Sequence, residues 1–308
     1  MVETLAVLER DRPAESGEPL PSPDRVLFSS ALVRIGSFRC PPDHPRFSDA
    51  PRVQSHLMAF PRSSVSITHD GGRPFVFDPA HASLYNPGQG YLRKEVSPEG
   101  DRSDWFGLAP AVVRGAYAQL HPRHADAAVP AFTSVMARTS GDLYRRQRSV
   151  FEYVRQIEDA DVIAVEEVVI EILLALMGSG RREVDRSRPR RKRDVVEATK
   201  AYLAVRSTRR DSLTDVARAV GCSVFHLCRA FRAGTGSSLH QYRRRLRLRR
   251  ALERVMETNE DLLTVGLALG FSGHSHFTAA FKREFGIVPS ALRRRSRTEL
   301  ASLLARLR

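Results

Sequence analysis

The residues of this 308-residue sequence that are equipped for chemistry are cations, and they crowd at one end. Residues 195–308 carry 22 Lys and Arg against 9 Asp and Glu, and 181–194 carry 8 against 3, whereas 1–180 carry 19 against 23. A chain of net charge +14 with its excess confined to one segment suits a polyphosphate partner met by that segment alone. The groups that make and break bonds are scattered by comparison. His44, His56, His69 and His81 fall singly in different stretches with no His-x-His among them, although a metal-dependent β-barrel enzyme needs clustered ligands. His121 and His124 flank a proline-containing loop and read as surface residues. Cys40, Cys222 and Cys228 are too few and too dispersed for a zinc site. Neither a glycine-rich phosphate loop nor a Gly-x-Ser-x-Gly elbow occurs. No catalytic residue, metal or cofactor is therefore expected, and the sparse cysteines suit a reducing, cytoplasmic compartment. No signal peptide is visible, and the most apolar run, Val168 to Met177, is interrupted by Glu171 and too short to span a membrane.

Cations read a duplex only if something rigid presents them, and residues 213 to 293 supply a repeated scaffold. One copy reads Leu213, Val216, Ala217, Gly221, Ser223, Leu227, Phe231, Gly236; the next reads Leu263, Val265, Gly266, Gly270, Ser272, Phe277, Phe281, Gly286. Val216 and Val265 lie 49 positions apart and Phe231 and Phe281 lie 50 apart, so the second copy has one extra residue in its turn. Each copy predicts a helix, a tight turn at a glycine able to take positive φ, and a second helix anchored by apolar residues four apart. Ser223 and Ser272 are expected N-caps, and Ser212 with Asp215 an expected capping box. Between the copies, Leu248, Leu252, Val255 and Met256 within an arginine-rich stretch predict an amphipathic helix with a basic outer face.

Over residues 193 to 294 the sequence resembles the AraC/XylS family of transcription regulators. The resemblance rests on Leu213 to Ser223, Leu227 to Phe231, Arg247-Leu248 with Ala251, Gly270-Phe271-Ser272, His276-Phe277, Phe281-Lys282, and Phe285-Gly286 with Pro289. Three positions depart: Gly266 replaces the usual alanine, Ala279 a frequent arginine, and Leu292 a usual aromatic. The resemblance implies two recognition helices entering the major groove about one turn, roughly 34 Å, apart. It implies base contacts from Ser223, Phe225, Cys228 and Arg229, with Arg229 suited to a bidentate contact to guanine, and from His274, His276 and Ala279. Arg232, Lys282 and Arg283 are then phosphate contacts. A capped turn is the competing role for the two histidines, and the loss of arginine at 279 weakens base reading by the second helix.

Before residue 180 the pattern changes. Short apolar runs at Val26 to Ile35, Val53 to Phe60, Val65 to Thr68, Pro74 to Phe77, Ser83 to Tyr85, Tyr91 to Val96 and Asp104 to Leu108 are separated by turn formers such as Asp70-Gly71-Gly72 and Asn86-Pro87-Gly88. They predict an antiparallel sandwich or small barrel. The family resemblance makes it a cupin-like effector domain, and Phe60-Pro61-Arg62 is similar to one branch of it. Helices follow over Val112 to Leu120, Leu143 to Ile157 and Val162 to Met177, the last with an apolar stripe that packs inward or, by resemblance, forms a homodimer seam at residues 161–177.

The expected fold class is thus α+β multidomain: an N-terminal antiparallel β cupin-like barrel with following helices, and a C-terminal all-α tandem helix-turn-helix domain. The expected segments are a disordered tail at 1–24, an effector-binding and dimerisation domain at 25–178, a basic linker at 179–193, a DNA-binding domain at 194–295 and an amphipathic helix at 296–308. That last helix follows from Ser296 with Glu299 and from Leu300, Leu303, Leu304 and Leu307. Double-stranded DNA and an unidentified small-molecule effector are the expected partners, with Trp105, Phe106, Tyr85, Tyr91, Phe75 and Phe77 either lining a cavity or filling a core. A metalloenzyme fused to a DNA-binding module and a nonspecific basic DNA binder remain the alternatives.

Overall fold

The computed structural model describes residues 22–49, 52–122, 132, 136–178, 190–209 and 211–294. Its first part is built of strands β1 (Asp24–Ser29), β2 (Val33–Cys40), β3 (His56–Pro61), β4 (Val65–His69), β5 (Phe75–Phe77), β6 (His81–Tyr85), β7 (Tyr91–Glu95) and β8 (Asp101–Leu108). Helix α1 (Pro110–Leu120), strand β9 (Met136–Arg138) and helices α2 (Gly141–Gln156) and α3 (Val162–Gly178) follow. The strands form two antiparallel sheets, one of order β1-β2-β8-β3-β6-β9 and one of order β5-β4-β7. The run from Val26 to Ile35, read as one strand, is broken at Ser30. Its hydroxyl accepts from the backbone N–H groups of Leu32 and Val33 and turns the chain back on itself. Strand β9 was not read from the sequence: its three residues, Met136-Ala137-Arg138, form no apolar run like the Phe75-Val76-Phe77 of β5.

The main core lies between the larger sheet and the helices. Ile35, Met58, Phe60 and Phe106 from the strands meet Val165, Val169, Ile172 and Leu173 of α3, all buried. The apolar stripe of α3 therefore faces its own sheet, leaving Ile163 exposed at 65% near the helix start. Asp24, placed at the end of the expected tail, instead opens β1 and accepts the indole N–H of Trp105 at 2.6 Å.

The second part is helical: α4 (Arg190–Arg206), α5 (Leu213–Ala219), α6 (Val224–Thr235), α7 (Leu239–Glu257), α8 (Leu262–Ala268), α9 (His274–Phe285) and α10 (Pro289–Arg294). Helix α4 begins within the stretch read as linker. The expected tail residues 1–21 and the expected helix at 296–308 lie outside the described residues.

A polar seam joins the two parts. Arg148 of α2 is fully buried and paired with Asp104 of β8, with Glu152 one turn on at 2.6 Å, and with Glu257 at the end of α7 at 2.7 Å. Arg62, just beyond β3, lies against Glu253 at 3.3 Å and against Glu257. Arg249 of α7 donates to the carbonyls of Thr139 and Ser140 at 3.0 and 2.9 Å and stacks over Tyr144 at 4.3 Å. Burial pulls its guanidinium down to about 10, against the opposing pull of Glu284. The phenol of Tyr242 donates to the buried carboxylate of Asp78. At the start of α2, a Cβ on Gly141 would stand 1.8 Å from the carbonyl oxygen of Glu284, so only glycine lets this backbone rest on the last turn of α9.

A buried charge stripped of its partner costs far more than the intact pair contributes. Arg148→Ala leaves Asp104 and Glu152 without their shared cation in a water-poor seam. It is expected to lower unfolding stability by about 3 to 5 kcal/mol, measured by chemical denaturation of the full chain; a loss below about 1 kcal/mol, the range of exposed pairs, would show that the seam does not hold.

Candidate nucleic-acid interface and cavity

The two helix-turn-helix units repeat in three dimensions. Helices α5 and α8 each have 7 residues and α6 and α9 each have 12. The connection at 269–273 is one residue longer than that at 220–223, as the 49 and 50 spacings require. Gly221 and Gly270 take φ of 68° and 80° at the turns. Leu227 and Phe231 in α6, and Phe277 and Phe281 in α9, are fully buried and hold each second helix to its unit. The expected capping box is present, Ser212 accepting from the Asp215 N–H while the Asp215 carboxylate accepts from the Ser212 N–H.

The units differ at the entry to the second helix. Ser223 caps α6, accepting from the His226 N–H at 3.2 Å. Ser272 does not cap α9, whose N-cap is Gly273 and carries no side-chain bond. The extra residue moves Ser272 out of the capping position, and its hydroxyl instead lies 2.9 Å from Nδ1 of His276. The ring of Phe271 packs against the same imidazole at 5.5 Å. One nitrogen of His276 is thus engaged within the turn, while His274 is exposed.

Of the remaining residues expected at the duplex, Ser223, Arg229, Arg232, Ala279, Lys282 and Arg283 are exposed, and Phe225 stands out at 74%. Cys228 departs from this set: it is half-buried and packs against the core of the first unit. Leu292 is buried in the core of the second unit, filling the space where the resemblance expects an aromatic.

Three arginines of α7 are withdrawn from the open basic face expected of the helix. Arg243 donates to the Asp211 carbonyl at 2.8 Å, Arg247 to the carbonyls of Ser207, Arg209 and Gly270, and Arg250 to that of Ala204 at 2.9 Å. Several of these carbonyls close the C-terminal end of α4, where a cation is favoured by the negative end of the helix dipole. The side chains therefore bolt α4, α7 and the second turn together. The available signal was their spacing, since Arg243, Arg247 and Arg250 fall at i, i+4 and i+7 on one stripe.

A cavity of about 90 Å³ lies between the two sheets. Of the six aromatic residues that the sequence left between cavity and core, Trp105, Tyr85, Tyr91 and Phe77 line it. Phe106 belongs to the main core against Phe60, and Phe75 packs on His69, so neither reaches the cavity. Burial draws the His69 imidazole down to about 4 despite the nearby Asp70, so it is neutral near pH 7. Arg93 of β7 also lines the cavity, stacked over Phe38 at 4.8 Å and Tyr91 at 5.4 Å. Sequence reading passed over it, although Tyr91 and Arg93 two apart must share one face of the strand.

Comparison with known proteins bears on the helical part. The family model of a helix-turn-helix domain matches residues 216–295. The HTH-type transcriptional activator AarP of Providencia stuartii is 31% identical over 99 residues, which cover 32% of this chain and 73% of that protein. The HTH-type transcriptional regulator GlxA of Rhizobium meliloti is 40% identical over 83 residues, covering 27% of this chain and 26% of GlxA, so the match spans about a quarter of that relative. A crystal structure of a transcriptional regulator with an AraC-type DNA-binding domain from Chromobacterium violaceum is 29% identical, covers 32% of this chain and 88% of that one, and superposes with a TM-score of 0.31.

Within the matched range, Gly266 is explained by what faces it. A Cβ there would lie 3.0 Å from Cβ and Cγ of Phe277, tighter than ordinary contact, at the crossing of α8 and α9. Helix propensity alone favours Gly266→Ala by about 1 kcal/mol. The crowding of a buried ring is expected to remove more than half of that gain, as read by chemical denaturation; the full gain would show that α9 moves aside freely.

Proposed function

Because the chain belongs to the AraC/XylS family of transcription regulators, we propose that it is a sequence-specific DNA-binding regulator whose two reader units enter consecutive major grooves of one duplex. The observation that carries this reading is that α6 and α9 keep their outward faces exposed while both units are packed against the β-rich part. In this reading Arg229 makes a bidentate contact to guanine, the exposed ring of Phe225 makes an apolar contact, and Ser223 and His274 meet base edges. His276 reads through Nε2 because Nδ1 is held by Ser272. Cys228 contributes only its exposed edge and Ala279 a methyl. Arg232, Lys282 and Arg283 meet phosphates.

We further infer that residues 25–178 bind a small effector and that residues 194–295 read DNA. The cavity wall is tied to the first reader unit, since Phe77 lines the cavity while its neighbours Val76 and Asp78 bond to Glu197 of α4 and Tyr242 of α7. A ligand that shifts β5 thereby bears on that unit. A homodimer through 161–177 would use Ile163 and the outer edge of α3, because its apolar stripe is spent on its own sheet. Among the described residues no helix is long and apolar enough to cross a membrane, and a cytoplasmic regulator is the reading we adopt.

The test compares a duplex enriched from a random pool with its scrambled counterpart. Arg229→Ala is expected to cost about 1 to 3 kcal/mol on the enriched duplex and little on the scrambled one, relaxing preference at a single position. Lys282→Ala is expected to weaken both alike and to reduce the salt dependence by about one unit. Equal effects of both variants on both duplexes would contradict these roles and favour a nonspecific binder.

A further inference from the structure

We propose that the cavity between the two sheets is a binding site for a compact monocarboxylate with a short apolar body, its carboxylate taken by Arg93. The proposal rests on the reading of this part as an effector-binding domain and adds the chemical class of the ligand. The side chain of Arg93 is only 2% exposed, and its Nε and Nη1 have no hydrogen-bond acceptor. Its Nη2 reaches the Arg46 carbonyl at 3.4 Å. The nearest carboxylate, that of Asp101, stands 3.8 Å from Nη1, beyond hydrogen-bond distance.

The acids around the cavity are otherwise occupied. Asp101 accepts from Ser103 at 2.9 Å, Asp24 from Trp105 at 2.6 Å, and Asp49 from Arg46 at 3.4 Å. Burial also pushes the carboxyls of Asp24 and Asp101 up, with Arg93 pulling that of Asp101 the other way. Arg52 at the rim is taken by Asp70 and by the Gly88 carbonyl. The unmet demand of this cavity is therefore for an acceptor beside a buried guanidinium, the situation in which a charge-assisted bond is strongest. The walls include the rings of Trp105, Tyr85, Tyr91 and Phe77, which accept an apolar body, with Gln54, Ser55 and Ser103 among the polar side chains that also line the cavity. At about 90 Å³ the space is smaller than the roughly 150 Å³ that admits benzene in an apolar cavity, so long-chain acids and nucleotides are excluded without rearrangement.

Trp105 is the single tryptophan of the chain and lines the cavity, so selectively excited tryptophan fluorescence reports on this site. The full chain is titrated with isovalerate and propionate, and in parallel with their uncharged amides. At least one carboxylate is expected to bind tenfold or more tightly than its amide. Arg93→Gln is expected to abolish that difference. Ala59→Leu, which narrows the cavity beside Trp105 without altering a charge, is expected to abolish carboxylate binding as well, and it stands in should Arg93→Gln fail to fold. Equal binding of acid and amide, a preference that survives Arg93→Gln, or no response to either acid would overturn the assignment. Affinity for the enriched duplex, measured with and without the acid, separates the two readings. Arg93-dependent binding with unchanged DNA affinity would leave the site standing and remove its regulatory role. A neutral molecule that shifts both Trp105 fluorescence and DNA affinity would do the reverse.

Discussion

Arg148 is a full positive charge with no access to water, and the relative placement of everything else in this chain depends on how it is neutralised. Its three carboxylate partners come from β8, from its own helix and from the end of α7, so the cluster is complete only when the β-rich part and the helical part are docked. Burial pushes the Glu253 carboxyl beside this cluster up, with Arg62 and Arg148 pulling the other way. Such a cluster contributes little through its attraction alone, since the desolvation of each ion opposes it. Its effect is on specificity of docking, because separating the two parts strips Glu257 from Arg148 and both Glu253 and Glu257 from Arg62.

Helix α7 is the element through which that constraint spreads. Leu239, Tyr242 and Leu246 enter the core of the first reader unit, while Leu248, Leu252 and Val255 enter the core of the second. On a further side it presents Tyr242, Arg249, Glu253 and Glu257 to the seam. A single helix thus fixes the two units relative to one another and both relative to the cavity. Arg243, Arg247, Arg249 and Arg250, which composition places on a phosphate-binding face, are spent on carbonyl groups, which in the proposed reading leaves more of the phosphate contact to the exposed cations of α6 and α9. That division matches the chemistry, because a bolt has to be buried and a reader has to be exposed.

Much of this was legible from residue types. The two reader units could be read from paired apolar anchors four apart and from turn glycines, since those features report local packing that every such unit repeats. The one-residue difference between the copies could be read from 49 and 50 alone. Its consequence could not, because the loss of Ser272 as a cap follows from where its hydroxyl lands against His276. The strands were visible where an apolar run lay between turn formers, even at the three-residue β5, and invisible at β9, where Met136-Ala137-Arg138 carries no such run and pairs with β6. Arg148, Arg249 and Arg93 were unreadable as buried residues because each is satisfied or left wanting by groups distant in sequence. Charge run and net charge register composition, whereas the role of each arginine depends on which carbonyl or carboxylate the fold brings opposite.

The central claim is that one chain reads two consecutive grooves with two helices held in fixed relation. Hydroxyl-radical footprinting of the full chain on a duplex enriched from a random pool tests it most directly. Two protected windows on one face of the helix, their centres about 10 base pairs apart, with a single chain bound, is the result the account requires. A single short window, or protection that covers any sequence evenly and vanishes as salt rises, would contradict it.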